Sequence, residues 1–218
     1  MASIIFAAAA AHAADNTRFL ALGDSYTIGE GVGEGERWPN QLTSALQHDD
    51  VKIDAPEILA RTGWTTDELS DAMDRHTFHL PYALVTLLIG VNNQYRGRDL
   101  QNYRDQFRAL LHRAIDLAGK RPNRVIVVSI PDWGVTRFGR ESRRDVAKIG
   151  TEIDAYNAAN AEIATMLHVH YVDVTAASRD GGNGADMLVG DGLHPSAQMY
   201  RRWVDAIEPI AKRALSSQ

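Results

Sequence analysis

The sequence of 218 residues contains no cysteine. This absence excludes disulfide bonds, zinc sites built from thiolates and cysteine nucleophiles. Basic residues are not in excess either, because 23 Lys and Arg stand against 28 Asp and Glu and give a net charge of −5. A nucleic-acid-binding protein normally carries a basic patch or stripe. The composition therefore gives no support to a nucleic-acid partner, and the length predicts a single domain.

Hydrophobic runs long enough to span a bilayer are also missing. The N-terminal run IIFAAAAAHAAD is apolar over about ten residues, fewer than the roughly 20 that a membrane-spanning helix needs. The tripeptide Ala11–Ala13 fits the A-x-A cleavage site of a secretory signal peptide. We therefore interpret residues 1–14 as a signal-peptide remnant and residues 15–218 as the folded domain. A periplasmic or secreted protein without stable membrane insertion is expected, and its oligomeric state is left open.

Short apolar runs alternate with amphipathic segments along the rest of the chain. These runs predict strands at residues 18–23, 51–60, 82–90, 124–130 and 170–174. The segments between and after them predict helices at residues 37–47, 65–75, 99–119, 143–167 and 196–215. Strands that alternate with helices are typical of a parallel sheet covered on both faces. We therefore expect an α/β fold with a five-stranded parallel sheet. The Gly-rich stretch 178–195 is predicted to be a long loop, a kind of segment that is often functional.

Polar residues with chemical potential follow the predicted strands. Ser25 comes after the first strand, Gly63 after the second and Asn92 after the third, while Asp191 and His194 directly precede the last helix. Ligands of parallel α/β sheets bind at the carboxyl ends of the strands. We therefore expect the first three residues on one rim of the sheet, with the last loop reaching the same rim.

These residue types fit nucleophilic catalysis, although the common serine-hydrolase elbow G-x-S-x-G is absent around Ser25. A serine hydroxyl becomes a good nucleophile when a base such as His194 takes its proton. A carboxylate such as Asp191 can fix the imidazole tautomer and stabilise the imidazolium. The oxyanion of a tetrahedral intermediate needs hydrogen-bond donors. The backbone N–H groups of Ser25 and Gly63 and the side-chain amide of Asn92 are the candidates.

The same residues resemble the motif blocks of the SGNH hydrolase family, also called the GDSL family. Block one is Gly23-Asp24-Ser25, block two contributes Gly63, block three is Gly90-Val91-Asn92-Asn93, and block five is Asp191-Gly192-Leu193-His194. Each motif alone is weak, but all four occur in the order typical of the family. The resemblance implies a flavodoxin-like three-layer α/β/α sandwich. It also implies hydrolysis of carboxylic esters or thioesters through an acyl-serine intermediate, with neither a metal site nor an organic cofactor.

Two positions depart from the family pattern. Tyr26 stands where the family name has leucine, and Asn93 replaces the aspartate that usually follows the block-three asparagine. The resemblance gives no role for Tyr26. We expect Asn93 and Tyr95 to contact the substrate, because the segment after block three is predicted to line the acyl side of the pocket.

The sequence leaves several substrate classes open. A small acyl ester is the expected ligand, and a short-chain carboxylic ester is the first choice. A carbohydrate O-acetyl ester is the second, and a lysophospholipid or a thioester is a further alternative within the same family. A non-catalytic, anion-binding module of flavodoxin-like shape would explain the Gly23-Asp24-Ser25 turn, but it gives no reason for Asp191 and His194.

Overall fold

The computed structural model describes residues 17–181, 184 and 186–216, so the predicted signal-peptide remnant at 1–14 lies outside the described residues. The strands are β1 (Phe19–Gly23), β2 (Pro56–Ala60), β3 (Leu84–Leu88), β4 (Val125–Val128) and β5 (His170–Val172). They form a sheet in the order β2-β1-β3-β4-β5, and every neighbouring pair is parallel. This strand order is flavodoxin-like. The predicted fold class and five-stranded parallel sheet are confirmed.

Helices cover both faces of the sheet. They are α1 (Ser25–Ile28), α2 (Trp38–His48), α3 (Thr66–Arg75), α4 (Val91–Tyr95), α5 (Leu100–Leu117), α6 (Arg137–Glu141), α7 (Val146–Met166), α8 (Thr175–Gly181) and α9 (Ala197–Ser216). Helices α3, α5 and α7 pack in one layer, whereas α2 and α9 pack together in the other. Right-handed crossovers explain this division, because the chain moves from β1 to one edge and then runs back across the sheet. Among the described helices, none is both long and apolar enough to cross a membrane.

The core lies on both sides of the central strands. All residues of β1, β3 and β4 are buried, as expected for continuous apolar strands covered by helices on both faces. The predicted apolar face of α5 is also found, with Tyr103, Phe107, Leu110, Leu111 and Ala114 buried. Helix α3 begins with the predicted capping box, in which the Thr65 backbone N–H donates to Glu68 Oε2 at 2.9 Å.

Two predicted boundaries differ from the structure by more than three residues. The second strand was predicted from residue 51, but β2 begins at Pro56 and lies at the edge of the sheet. Proline has no N–H to donate to a ladder, so it suits the first residue of an edge strand and not the interior of one. The predicted loop 178–195 is also shorter than expected, because α8 continues to Gly181.

Candidate active site

A small cavity opens at the carboxyl ends of β1, β3 and β4. Its volume is about 240 Å³. Its lining residues come from six separate parts of the chain: Ser25, Tyr26, Thr62, Gly63, Val91, Asn92, Tyr95, Trp133, Phe138, Leu193 and His194. The structure therefore brings Ser25, Gly63, Asn92 and His194 to one cavity, at the rim where ligands of parallel sheets bind.

Ser25 is presented by a tight turn between β1 and α1. Asp24 caps α1, because its Oδ1 accepts a hydrogen bond of 3.0 Å from the backbone N–H of Tyr26. Gly23 allows the turn to approach β3 closely, since a Cβ there would overlap Thr27 and the backbone oxygen of Leu88. Ser25 is thereby fixed at the first position of α1, where a backbone N–H has no partner within the helix.

The carboxyl group of Asp24 is fully buried directly behind the nucleophile candidate. Burial raises its pKa to about 7, and the hydrogen bond from Tyr26 N–H offsets this only in part. Its second oxygen, Oδ2, has no hydrogen-bond partner within the described chain. Ionisation of Asp24 in the folded protein is therefore unfavourable. We interpret Asp24 as a structural residue, and it is not among the predicted catalytic residues.

His194 and Asp191 form a close pair. Asp191 Oδ2 lies 2.6 Å from His194 Nδ1, and Asp191 Oδ1 accepts backbone N–H groups from Leu193 at 2.8 Å and His194 at 3.0 Å. Partial burial acts to raise the pKa of Asp191, but the hydrogen bonds from the His194 ring and from both N–H groups outweigh it and lower the pKa. A charged carboxylate on Nδ1 leaves Nε2 of the same ring as the proton acceptor.

The loop that carries this pair is anchored from both sides. The backbone N–H of Val189 donates to the His194 carbonyl oxygen at 2.9 Å, which closes the loop on itself. Helix α6 contributes two further contacts, from the Arg137 side chain to the Gly190 oxygen at 2.6 Å and from the Phe138 N–H to the Gly192 oxygen at 3.0 Å. These bonds fix the position from which the imidazole faces the cavity.

Three candidate oxyanion donors lie around the cavity. Gly63 has a φ of +87°, a left-handed conformation that side chains rarely adopt, so this position favours glycine. Asn92 donates one N–H of its side-chain amide to the Trp64 carbonyl oxygen at 2.9 Å. An asparagine amide carries two N–H groups. The bond to Trp64 therefore orients the amide and leaves the second N–H available, together with the backbone N–H groups of Ser25 and Gly63.

The structure corrects the prediction for Asn93, which does not line the cavity and is fully buried. Its Oδ1 accepts the backbone N–H of Thr66 at 3.1 Å, and its Nδ2 donates to the Thr66 hydroxyl at 2.7 Å. That hydroxyl in turn donates to Gln106. An asparagine supplies the acceptor and the donor that Thr66 needs, whereas an ionised aspartate would have no donor. Asn93 therefore ties α4 to the start of α3 instead of contacting the substrate.

Tyr26 also has a defined place. Its buried ring lies between His194, at a centroid distance of 5.6 Å, and Trp203 on α9, at 6.0 Å. Trp203 packs in turn against Tyr200 at 5.1 Å. Tyr26 therefore packs against the imidazole and connects it to the buried aromatic rings of α9. Local sequence does not show this role, because His194 and Trp203 are about 170 residues away from Tyr26.

The sequence predicts only part of the apolar wall of the cavity. Tyr95 lines the cavity as predicted, but Trp133 and Phe138 complete the wall. The Trp133 indole N–H donates to Gln94 Oε1 at 2.8 Å, and the Gln94 amide donates to Glu152 at 2.7 Å. A signal was available for Trp133, because it follows β4 and the carboxyl ends of parallel strands face the ligand.

Comparison with protein families finds one matching family over most of the chain. The model of the "GDSL-like Lipase/Acylhydrolase family" matches residues 21–202. This range includes Ser25, Gly63, Asn92, Asp191 and His194. Comparison with curated protein sequences gives no significant match.

Solved structures share the fold at low sequence identity. The psychrotrophic esterase EstA from a Pseudoalteromonas species is 16% identical with a TM-score of 0.66, covering 93% of this chain and 100% of its own. A lipase/acylhydrolase from Enterococcus faecalis is 18% identical with a TM-score of 0.65, covering 90% and 96%. AlinE4, an SGNH-hydrolase family esterase, is 20% identical with a TM-score of 0.59, covering 93% and 98%. The α/β architecture described above is therefore shared with these proteins.

Proposed function

The chain belongs to the GDSL-like lipase/acylhydrolase family, and from this premise we propose that it is a serine esterase that hydrolyses short-chain carboxylic esters. Ser25 is the nucleophile, His194 the general base and acid, and Asp191 the carboxylate that orients His194. The oxyanion donors are the backbone N–H groups of Ser25 and Gly63 and the side chain of Asn92. The observation that carries this proposal is the cavity shared by Ser25 and His194, whose other ring nitrogen is held by Asp191 at 2.6 Å.

Acylation follows from this arrangement. Ser25 Oγ attacks the ester carbonyl carbon while His194 Nε2 takes the hydroxyl proton, and the carbonyl oxygen becomes an oxyanion. The oxyanion receives hydrogen bonds from the donors around it. When the carbon–oxygen bond to the alcohol breaks, His194 returns its proton to the leaving alcohol. The product of this half-reaction is an acyl group on Ser25 and a free alcohol.

Deacylation repeats the same steps with water. His194 Nε2 takes one proton from a water molecule as its oxygen attacks the acyl carbon. The second tetrahedral intermediate collapses when the bond to Ser25 Oγ breaks and His194 returns the proton to this oxygen. The carboxylic acid leaves, and the enzyme returns to its starting state. Throughout both halves, Asp191 stabilises the positive charge that forms on the ring of His194.

The size of the cavity supports a short acyl group. Drug-sized ligands bind in sites of about 300–1,000 Å³, and this cavity measures about 240 Å³. Its apolar wall is built from bulky rings, with Trp133 held in place by its bond to Gln94. An acetyl or butyryl group fits such a site better than the long acyl chain of a lysophospholipid or a fatty-acyl thioester.

A carbohydrate O-acetyl ester is the second candidate. The acetyl group would suit the small cavity equally well, and the exposed Thr62 and Arg96 beside Gly63 offer polar groups to a sugar. Rates on acetyl, butyryl, octanoyl and palmitoyl esters of one alcohol, measured beside an acetylated sugar, distinguish the candidates. A clear preference for the acetylated sugar would favour this second candidate. An octanoyl or longer optimum would overturn the short-chain proposal.

Ser25→Ala tests the nucleophile. We expect the variant to lose nearly all turnover of p-nitrophenyl butyrate while its thermal unfolding stays close to that of the wild type. Ser44→Ala, which removes an exposed serine on α2, is the matched control and keeps full activity. A wild-type rate in Ser25→Ala would refute the assignment.

A fluorophosphonate separates an esterase from a non-catalytic anion-binding module. We expect the probe to add covalently to Ser25 in the wild type, as seen in the intact mass and by peptide mapping, and to leave Ser25→Ala unlabelled. A protein that only binds anions would not react, so unlabelled wild-type protein would favour the binding module.

We also propose that the protein is periplasmic or secreted, on the basis of the tripeptide Ala11–Ala13 and the apolar run before it. Expression of the full chain followed by N-terminal mass analysis of the exported protein tests this. The expected new terminus is near Ala14 or Asp15. A product that retains the run and stays in the cytoplasm would contradict the proposal.

A further inference from the structure

A second, larger cleft lies beside the candidate active site. Its volume is about 550 Å³, and it is lined by residues of α4 and α7, by the turn after α4, and by Arg144 and Asp145 just before α7. Among the described residues, Tyr95 is the one that lines both this second cleft and the catalytic cavity. The ring of one side chain therefore stands between a small catalytic cavity and a space of more than twice its volume.

Tyr95 is held in this position by Arg144. The guanidinium carbon of Arg144 lies 4.1 Å from the centroid of the Tyr95 ring, and its Nη1 donates to the Tyr95 carbonyl oxygen at 2.8 Å. A cation over an aromatic face at this distance is attractive. Arg144 therefore fixes both the backbone and the ring of a residue that is 40% exposed.

Trp133 packs against the same ring, and the Arg144 guanidinium carbon also lies 5.6 Å from the Trp133 ring centroid. The two ring centroids lie 5.3 Å apart in an edge-to-face arrangement with an interplanar angle of 64°. Trp133 is itself almost fully buried and bonded to Gln94, which is bonded to Glu152 on α7. The Tyr95 ring is thus clamped by a cation and a buried indole, which also lie close to each other.

We propose that Tyr95, clamped by Arg144 and Trp133, is the partition that limits the length of the acyl chain. This inference rests on the proposed esterase function and adds the residue that sets its selectivity. Removal of the Tyr95 side chain joins the catalytic cavity to the second cleft. An acyl chain too long for the small cavity then extends past position 95, over Ile149 and the alkyl stems of the cleft.

The direction of the acyl chain follows from the chemistry of the site. The leaving alcohol receives its proton from His194, so it must lie on the His194 side of Ser25. Tyr95 lies one turn after the oxyanion donor Asn92 on α4. The part of the substrate that faces Tyr95 is therefore the acyl part.

The test compares Tyr95→Ala with wild type on p-nitrophenyl butyrate and octanoate. Octanoate has four more methylene groups, and burial of each one against Ile149 and the alkyl stems of the cleft is favourable. We expect the ratio of kcat/KM for octanoate over butyrate to rise roughly tenfold or more in Tyr95→Ala. An unchanged ratio would overturn the proposal. Tyr95→Phe keeps the ring and is expected to change the ratio less than about twofold.

The clamp has its own test and control. Arg144→Ala keeps the Tyr95 side chain but removes the cation that holds its ring. The octanoate-to-butyrate ratio is therefore expected to rise by about two- to fivefold. Arg143→Ala removes the neighbouring positive charge and keeps the Arg144 contacts with Tyr95, so it is expected to leave the ratio unchanged. Equal effects of Arg143→Ala and Arg144→Ala would show that charge and not the clamp is responsible.

Three further measurements separate this proposal from the esterase proposal. Wild-type rates alone test the short-chain preference, and they do not depend on Tyr95→Ala. Calorimetric binding of octanoate tests the partition without turnover: Tyr95→Ala is expected to bind octanoate more tightly than wild type, and equal affinity would overturn the partition. Octyl and ethyl butyrate differ only in the alcohol, so a gain for octyl butyrate alone would contradict the acyl assignment.

Discussion

Replacement of Asp24 by asparagine isolates the effect of the buried carboxyl behind Ser25. Asparagine keeps the Oδ1 that accepts the Tyr26 N–H and cannot ionise. It resembles the protonated form of the acid, which carries no charge. The variant therefore removes the titration of this group and leaves its cap of α1 in place.

The size of the effect on the free energy of unfolding follows from the pKa of Asp24. Asp24 has a pKa of about 7 in the folded protein, against an ordinary value of 3.8. The folded chain therefore holds this proton more tightly, so the contribution of Asp24 to stability is complete below pH 3.8 and is lost as the pH rises to about 7. A difference of about three pH units corresponds to about 4 kcal/mol at most. This is a large part of the 5–15 kcal/mol by which a domain of this kind is usually stable.

The assay is urea unfolding of wild type and Asp24→Asn at intervals from about pH 4 to about pH 9. The free energy of unfolding of the variant minus that of the wild type is expected to increase from pH 4 to pH 7 and then to stay constant. Asp116→Asn, which removes an exposed carboxyl on α5, is the control for the loss of a negative charge. A difference between Asp24→Asn and wild type that does not change with pH would refute the argument that burial disfavours the Asp24 charge.

Other parts of the structure lead to three more predictions. Asp191→Asn is expected to lower kcat by roughly 10³-fold or more, because the His194 ring loses its orienting carboxylate; steady-state kinetics check this, and a loss below tenfold would contradict it. Tyr26→Ala is expected to lower kcat by roughly 10- to 100-fold with little change in KM, because the packing against His194 is lost, while Tyr26→Phe restores it; equal losses in both variants would point to the hydroxyl instead. Phe107→Ala is expected to destabilise the fold by about 3–5 kcal/mol in urea unfolding, because it leaves a cavity beside Tyr103; a cost below 1 kcal/mol would contradict the tight packing of α5.

Long elements could be predicted from the sequence because their patterns are local. The apolar runs of β1, β3 and β4 and the periodic face of α5 are visible over their own lengths, and turn residues mark their ends. Helices α1 and α4 were not predicted, since four or five residues are too few to show a helical period. Their formation depends on Asp24 and on the contact of Asn93 with Thr66, which is 27 residues away.

Part of the candidate site could also be predicted from the sequence. Ser25, Gly63 and Asn92 could be found because they follow strands, and the spacing of Asp191 and His194 suits a local pair. The aromatic support of His194 and the contribution of Phe138 to the cavity wall could not be read from spacing, because each depends on packing between distant elements. The error at Asn93 has the same origin: a polar residue next to a site residue can face the interior and bond a neighbouring helix.

Helix α4 carries Asn92 at its beginning and Tyr95 at its end, on a single turn held by the buried Asn93. As proposed, the rate of the reaction depends on the side-chain amide of Asn92, which this turn positions, while the chain-length preference depends on one side chain at its exposed end. The rate and the chain-length preference therefore depend on different residues of α4. A gene library randomised at position 95 alone would act mainly on the chain-length preference, whereas an insertion within the turn would change both properties at once. New chain-length selectivity could thus arise in this protein by single substitutions at one position.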